Sequence, residues 1–171
     1  CKNVYGVSNS LTGLVMAFAA IGIAAGTSVT GKYSGTVVRK GLIIPALCGM
    51  ILNLVLLLIV PLSFGTFAAG IVVFAFIAGV FQVPCMAMMQ QADLGRKRGD
   101  TIAYLNMMNF LFILAGTGLF SLTTALTGEN SYAVFGVMIA VCAVILLYFA
   151  FRYPDFRTET RLLFEKSGNQ L

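Results

Sequence analysis

The sequence predicts an all-α polytopic transmembrane helical bundle with five spans. Two observations support this prediction: the long uncharged stretches and the distribution of positive charge between them. Of the 171 residues, 59% are hydrophobic and 10% are charged, which excludes an ordinary soluble domain. The charge-free stretches cover residues 3–31, 41–92, 101–128 and 130–151. About 20 apolar residues suffice for a helix to cross roughly 30 Å of hydrocarbon. Each stretch is therefore long enough to span a membrane.

The stretch 41–92 is expected to hold two spans, because a single helix over it would be about 78 Å long. Pro61 and Gly65 mark the break between them. The predicted spans are about 10–31, 41–60, 66–91, 101–126 and 131–151. Together they form a transmembrane bundle over residues 1–152, followed by a juxtamembrane tail over 153–171.

Positive charge alternates between the segments that connect the spans. The basic segments contain Lys32, Arg39 and Lys40, then Arg96, Lys97 and Arg98, then Arg152, Arg157, Arg161 and Lys166. The connectors around 61–66 and 127–130 carry no basic residue. By the positive-inside rule, the basic segments and the C-terminus are expected in the cytoplasm.

Composition also limits the kinds of partner and chemistry. The net charge is +5, but the basic residues flank the spans, so we expect membrane lipids and not nucleic acid as their partner. The chain has no His, which removes the commonest general base and metal ligand. We therefore expect no enzymatic activity, no metal and no cofactor. The chain begins without Met, and we expect it to lack an N-terminal part.

The spans differ in character. Gly22 and Gly26 of the first span form a GxxxG spacing, which predicts close helix packing. The second and fifth spans are nearly all aliphatic or aromatic apart from Asn53, and we expect them to face lipid at the periphery. The third and fourth carry most of the intramembrane amides and are expected to lie inside.

The polar positions of the third and fourth spans form a candidate substrate path. Pro84 leaves the carbonyl of Val80 without its helical donor, which predicts a kink or a local opening. Gln82 beside it either contacts a substrate or bonds the freed backbone. Asn106 and Asn109 share one helical face and either line the path or bond a neighbouring helix.

A tight cytoplasmic turn is predicted between the first two spans. It begins with a glycine and ends with two consecutive basic residues, in the segment Gly31-Lys-Tyr-Ser-Gly35-Thr-Val-Val-Arg39-Lys40. It resembles the loop G-x-x-x-D-R-x-G-R-R of the major facilitator superfamily at Gly31, Arg39 and Lys40, with Gly35 in place of the acidic residue. The alternative is a plain basic loop. The resemblance implies helices 8–12 of a twelve-helix transporter, with a missing N-terminal half as partner. It makes these three residues and Arg98 candidate gating positions.

A closer resemblance is to the lysophospholipid transporter family, in which a V-P-x-x-A-x-x-Q helix precedes an R-G-x-x-I-A-x-x-N helix. The matching residues here are Pro84, Ala87, Gln90, Arg98, Gly99, Ile102, Ala103 and Asn106. The resemblance implies flipping of lysophospholipids across the bacterial inner membrane. Some members are fused to an acyltransferase, whose motif needs a His that this chain lacks.

The functional expectation is therefore alternating access around a midplane site. The spans contain no charged residue, and this favours a lipid over a charged solute as substrate. One alternative is a facilitator for a drug or a small metabolite. Another is a membrane anchor without transport that holds a fused enzyme.

Overall fold

In the computed structural model, the described residues are 8–34, 40–59, 63–91, 98–128, 130–153, 158, 160 and 161. Their helices are α1 (Asn9–Ser34), α2 (Ile43–Ile59), α3 (Phe64–Gln91), α4 (Arg98–Thr127) and α5 (Ser131–Arg152), and a 3₁₀ turn at Lys40–Leu42 precedes α2. Within the described ranges, five helical segments are long and apolar enough to cross a membrane. The predicted all-α fold class is confirmed.

The helices α1 and α4 extend beyond the predicted spans because their end turns include charged residues. Lys32 lies in the last turn of α1 and Asp100 in the first turn of α4. A cation near a helix C-terminus and an anion near an N-terminus are both favoured by the helix dipole. Charge therefore marks the edge of the hydrocarbon region and not the end of the helix. The predicted turn at Gly31 was wrong, since α1 continues through Gly31 to Ser34.

The most extensive helix contact joins α1 to α3. Gly22 of α1 lies against Val72 of α3. One turn further along α1, Gly26 lies against Phe76 of α3. Residue numbers rise together along the contact, so the two helices are parallel.

The helix α2 runs antiparallel to α3 on another face. Near the middle of α2, Gly49 lies beside Ile77 of α3. Further along α2, Leu57 lies beside Gly70, which comes earlier in α3. Since one set of numbers rises while the other falls, the helices run in opposite directions.

The packed core lies where α2 meets α3 and α5. Ile43 and Leu47 of α2 are 0% and 2% exposed. The residues packed against them are Ile44, Phe81, Cys85, Met88, Ile145, Leu146 and Phe149. At the other end of the same helix group, the rings of Phe67 and Phe135 meet edge to face at 6.1 Å.

Among the described residues, one expectation about span positions was wrong and another is not reproduced. The second span was expected at the lipid-facing periphery, yet α2 supplies the most deeply buried side chains. The fourth span was expected inside, yet every residue of 109–122 in α4 is exposed. Lipid tails are as apolar as leucine, so a helix surface that faces lipid and one that faces protein can have the same composition. Composition therefore does not distinguish a peripheral apolar helix from a packed one.

Several threonine hydroxyl groups within the spans are bonded to their own helices. Thr30 donates to the Gly26 carbonyl oxygen at 2.8 Å, and Thr117 donates to that of Ile113 at 2.9 Å. Thr123 and Thr124 make the same kind of bond to the carbonyls four residues earlier. Such bonds satisfy a hydroxyl without a partner helix, so these threonines need no polar surroundings.

A short connection turns the chain from α4 into α5. Gly128 has φ 63°, the left-handed conformation that glycine adopts readily after a helix end. Asn130 then caps α5, and its side-chain oxygen accepts a hydrogen bond from the Tyr132 backbone N–H at 3.0 Å. These residues place α5 beside α4.

Replacing Gly128 with alanine is expected to destabilise the folded protein by about 1 kcal/mol, because a Cβ disfavours the left-handed conformation. The measurement is the midpoint of thermal unfolding in detergent. Gly136→Ala is the control, since Gly136 is helical and has open space at its Cβ position. Equal midpoints for the two variants would contradict a conformational role for Gly128.

Candidate substrate path

Three amide side chains of α3 and α4 lie at a similar depth below one end of the bundle. The C-terminal end of α3 and the N-terminal end of α4 lie on one side of the membrane, because too few residues join them to cross it. At a rise of about 1.5 Å per residue, Gln82 lies about 13 Å from Gln91. Asn106 and Asn109 lie about 12 and 16 Å from Arg98. These depths are close to the middle of a hydrocarbon core about 30 Å thick.

These three amides are exposed and have no protein partner in the part of the chain that the structure describes. Gln82, Asn106 and Asn109 are each exposed. None of their side chains makes a hydrogen bond to a described residue. An unsatisfied polar group facing hydrocarbon costs several kcal/mol. The face that carries them therefore requires water, substrate or another protein segment against it.

The structure places the amides at one level but does not bring α3 and α4 together. Within the described elements, α3 and α4 share no extensive interface, whereas α4 packs on α5. A substrate path lined by these amides would therefore have Gln82 on one wall, and Asn106 with Asn109 on another. The alternative in which the asparagines bond a neighbouring helix is not seen among the described residues.

Pro84 does not line an open path in this structure. It is fully buried, and α3 continues through it to Gln91, so the helix is not interrupted where a local opening was predicted. Phe81, Pro84, Cys85 and Met88 follow the spacing of one helix face. Phe81, Cys85 and Met88 pack against the α2 core, so Pro84 belongs to a packing surface.

Gln82 does not bond the backbone that Pro84 frees. Residues two positions apart on a helix point about 200° away from each other, so the Gln82 side chain leaves the helix on the side opposite Val80. It is exposed there and unbonded to any described residue. This exposed position is compatible with contact with a cavity or a substrate, and that role of Gln82 stays a prediction.

The packing face between α1 and α3 is made of glycines from both helices. A Cβ added at Gly22 would lie 2.8 Å from the Val72 carbonyl oxygen, and one at Gly26 would overlap that of Phe76. A Cβ at Gly79 of α3 would lie 2.6 Å from the carbonyl oxygen of Ile23. The two backbones therefore touch directly. We call Gly22, Gly26 and Gly79 the glycine seam.

Sequence reasoning named Gly22 and Gly26 for packing but did not identify their counterpart on α3. Ala75 is buried and lies 3.3 Å from a Cβ built at Gly22. Ala75 and Gly79 have the same small-residue spacing of four as Gly22 and Gly26. That spacing was the signal that would have located the partner surface.

The candidate gating residues are distributed around the same end of the bundle. Gly31 lies within α1, with open space at its Cβ position, and Lys40 begins the 3₁₀ turn before α2. Arg98 begins α4. Arg39 lies outside the described residues. The gating role of these four residues stays a prediction.

Comparison with known proteins gives one family. The family model described as Major Facilitator Superfamily matches residues 2–168. No curated protein and no solved structure gives a significant match. The match covers nearly the whole chain, including all the described helices.

Proposed function

The chain belongs to the Major Facilitator Superfamily of membrane transporters, and from this premise we propose that it moves a lysophospholipid between bilayer leaflets by alternating access. The observation that carries the proposal is the set of three amides, Gln82, Asn106 and Asn109, which lie at a common depth and have no partner among the described residues. They are set in spans without charged residues.

A lysophospholipid matches this combination of groups. Amides donate and accept hydrogen bonds, as a glycerol hydroxyl and a phosphate headgroup require. The single acyl chain needs an apolar and adaptable wall. Met86 and Met107, which are 37% and 52% exposed, lie next to Gln82 and Asn106 on their helices and can supply it.

The position of the amides also supports a larger assembly, in which a further protein segment packs against them. Asn109 lies near the middle of the membrane with no described partner, and such a position is favourable only if protein or an aqueous cavity covers it. We propose that the N-terminal half of the same transporter provides the other wall. Rocking of the two halves would then expose the amides to each side in turn.

The orientation and location are also part of the proposal. Lys32 in the last turn of α1, Arg98 at the start of α4 and Arg152 in the last turn of α5 place positive charge at one end of the bundle. The positive-inside rule supports a cytoplasmic position for that end and for the C-terminus. The resemblance to lysophospholipid transporters supports the bacterial inner membrane, inward flipping, and a fused or separate acyltransferase that uses the delivered lipid.

The test follows labelled lysophosphatidylethanolamine in inverted and right-side-out vesicles that contain the intact protein. Gln82→Ala and Asn106→Leu are each expected to lower leaflet transfer roughly tenfold, because a hydrogen bond to a charged headgroup contributes about 1.5–3 kcal/mol. Membrane expression of each variant is measured alongside the transfer rate.

Thr117→Val is the matched control on α4, because the Thr117 hydroxyl is bonded to its own helix. It is expected to transfer lipid at the rate of the unchanged protein. Absence of transfer by the intact protein would reject the lipid as substrate. Unchanged transfer by the Gln82 and Asn106 variants would reject the path.

A further inference from the structure

Two basic residues lie at the end of the bundle where α2 begins and α5 ends. Phe135 near the start of α5 contacts Phe67 near the start of α3, and the later parts of both helices contribute to the packed core, so α3 and α5 run parallel. Because α2 is antiparallel to α3, its first residues reach the last turn of α5. Lys40 opens the 3₁₀ turn before α2, and Arg152 is in the last turn of α5.

Both basic residues continue the helix faces that form the packed core. Phe149 packs against the core of Ile43 and Leu47, and Arg152 follows Phe149 by three positions on the same face of α5. Residues three apart in a 3₁₀ turn also lie on one side, which places Lys40 over Ile43. Helix rise puts Lys40 about 6 Å beyond Ile43 and Arg152 about 4.5 Å beyond Phe149. The two cations are therefore at nearly the same level, just beyond the contact between α2 and α5.

Neither cation has an acidic partner in the part of the chain that the structure describes. The one acidic residue there is Asp100, in the first turn of α4. Lys40 is half-buried and Arg152 is exposed, and neither makes an ion pair or a hydrogen bond to a described residue. Two like charges on adjacent helices repel each other. An anion between them would replace this repulsion with attraction.

The adjoining surface of α5 has the properties of a surface that faces lipid. Tyr148 lies one turn before Arg152, and its exposed ring rests against Phe149 at 5.8 Å between centroids. Tyrosine is common at the headgroup level because its ring is apolar and its hydroxyl is polar. Deeper in the membrane, Val144 and Val141 continue the same exposed face. The cations are thus joined to an apolar stripe that runs along α5 into the membrane.

We propose that Lys40 and Arg152 bind one anionic diacyl phospholipid, with its phosphate between the two cations and its acyl chains along the apolar stripe of α5. An arginine donates two parallel hydrogen bonds to phosphate oxygens, and a lysine supplies a second positive charge. A soluble anion would satisfy the cations but leave the stripe without a ligand. The bound lipid would hold the start of α2 against the end of α5. The three amides lie on α3 and α4, so this site is independent of the transported substrate.

The test measures binding of phosphatidylglycerol to the intact protein, purified in detergent and stripped of lipid, by native mass spectrometry. One tightly bound lipid per chain is expected. Lys40→Gln and Arg152→Gln are each expected to weaken its apparent affinity about tenfold, because each removes a charged hydrogen bond. Arg152→Lys keeps the charge and is expected to bind the lipid more tightly than Arg152→Gln.

Lys32→Gln is the matched control, because Lys32 lies in the last turn of α1, which packs on α3. It removes one positive charge and is expected to leave the affinity unchanged. An equal loss of affinity in Lys32→Gln would overturn the site, since the lipid would then follow overall charge. Unchanged affinity in both Lys40→Gln and Arg152→Gln would also overturn it.

Two other probes test the chemistry of the ligand. Phosphatidylethanolamine with the same acyl chains carries no net charge and is expected to bind more weakly than phosphatidylglycerol. Inorganic phosphate at the same concentration is expected not to displace phosphatidylglycerol, because it has no acyl chain for the α5 stripe. Equal binding of the two lipids would reject an anionic ligand, and displacement by phosphate would reject a lipid in favour of a free anion.

Discussion

Replacing Gly26 with alanine is expected to force α1 and α3 apart and to destabilise the folded protein by about 3 kcal/mol. The added methyl would overlap the carbonyl oxygen of Phe76 and lie 3.0 Å from its carbonyl carbon. These are backbone atoms, which cannot rotate out of the way. The helices must therefore separate along the most extensive contact among the described elements.

The measurement is the thermal unfolding midpoint in detergent, followed by size-exclusion chromatography of the surviving folded fraction. A decrease of about 6 to 12 °C corresponds to the expected loss. Gly13→Ala is the matched control, because Gly13 is on the same helix with nothing near its Cβ position. It is expected to be neutral or slightly stabilising, since alanine has the higher helix propensity. Equal midpoints for the two variants would show that the glycine seam is not closely packed.

Replacing Leu47 with alanine is expected to destabilise the protein by about 2 kcal/mol, at the low end of the range for buried leucines. Leu47 is 2% exposed and sits in the core between α2, α3 and α5. In a membrane the unfolded reference is lipid and not water, so the loss comes mainly from missing packing contacts around the cavity.

Leu52→Ala is the control on the same helix, because Leu52 is 61% exposed. Truncation of this exposed side chain leaves no cavity. It is therefore expected to change the unfolding midpoint by less than about 1 °C. The comparison also tests the position of α2. If the two variants lose equal stability, Leu47 faces the same surroundings as Leu52 and the buried core is not formed.

The polar residues show how much of a candidate site can be predicted from a sequence pattern. The amides of Gln82, Asn106 and Asn109 were identifiable because polar groups are rare in apolar spans. Their common depth follows from helix rise. Whether each was free or bonded to a neighbour was not encoded in the pattern, because that depends on the rotation of each helix against the others. The structure leaves all three without a partner among the described residues.

Pro84 and Thr160 illustrate the opposite outcome. Pro84 was placed on the path because proline perturbs a helix, but its orientation towards the α2 face buries it. Thr160 lies in a tail where no local pattern indicated a contact. Its bond to Gly41 joins residues 119 positions apart, and only the folded chain brings them together.

The sequence by itself determined the all-α class and the five spans, since these depend on the cost of placing charge and unpaired backbone groups in hydrocarbon. That cost is local, so it can be evaluated residue by residue along the chain. Only the tertiary structure decided that, among the described residues, α2 supplies the core, α4 is exposed and α1 meets α3 at the glycine seam. Leucine is equally favourable against lipid and against protein, so the choice among neighbours depends on the fit of whole helix surfaces.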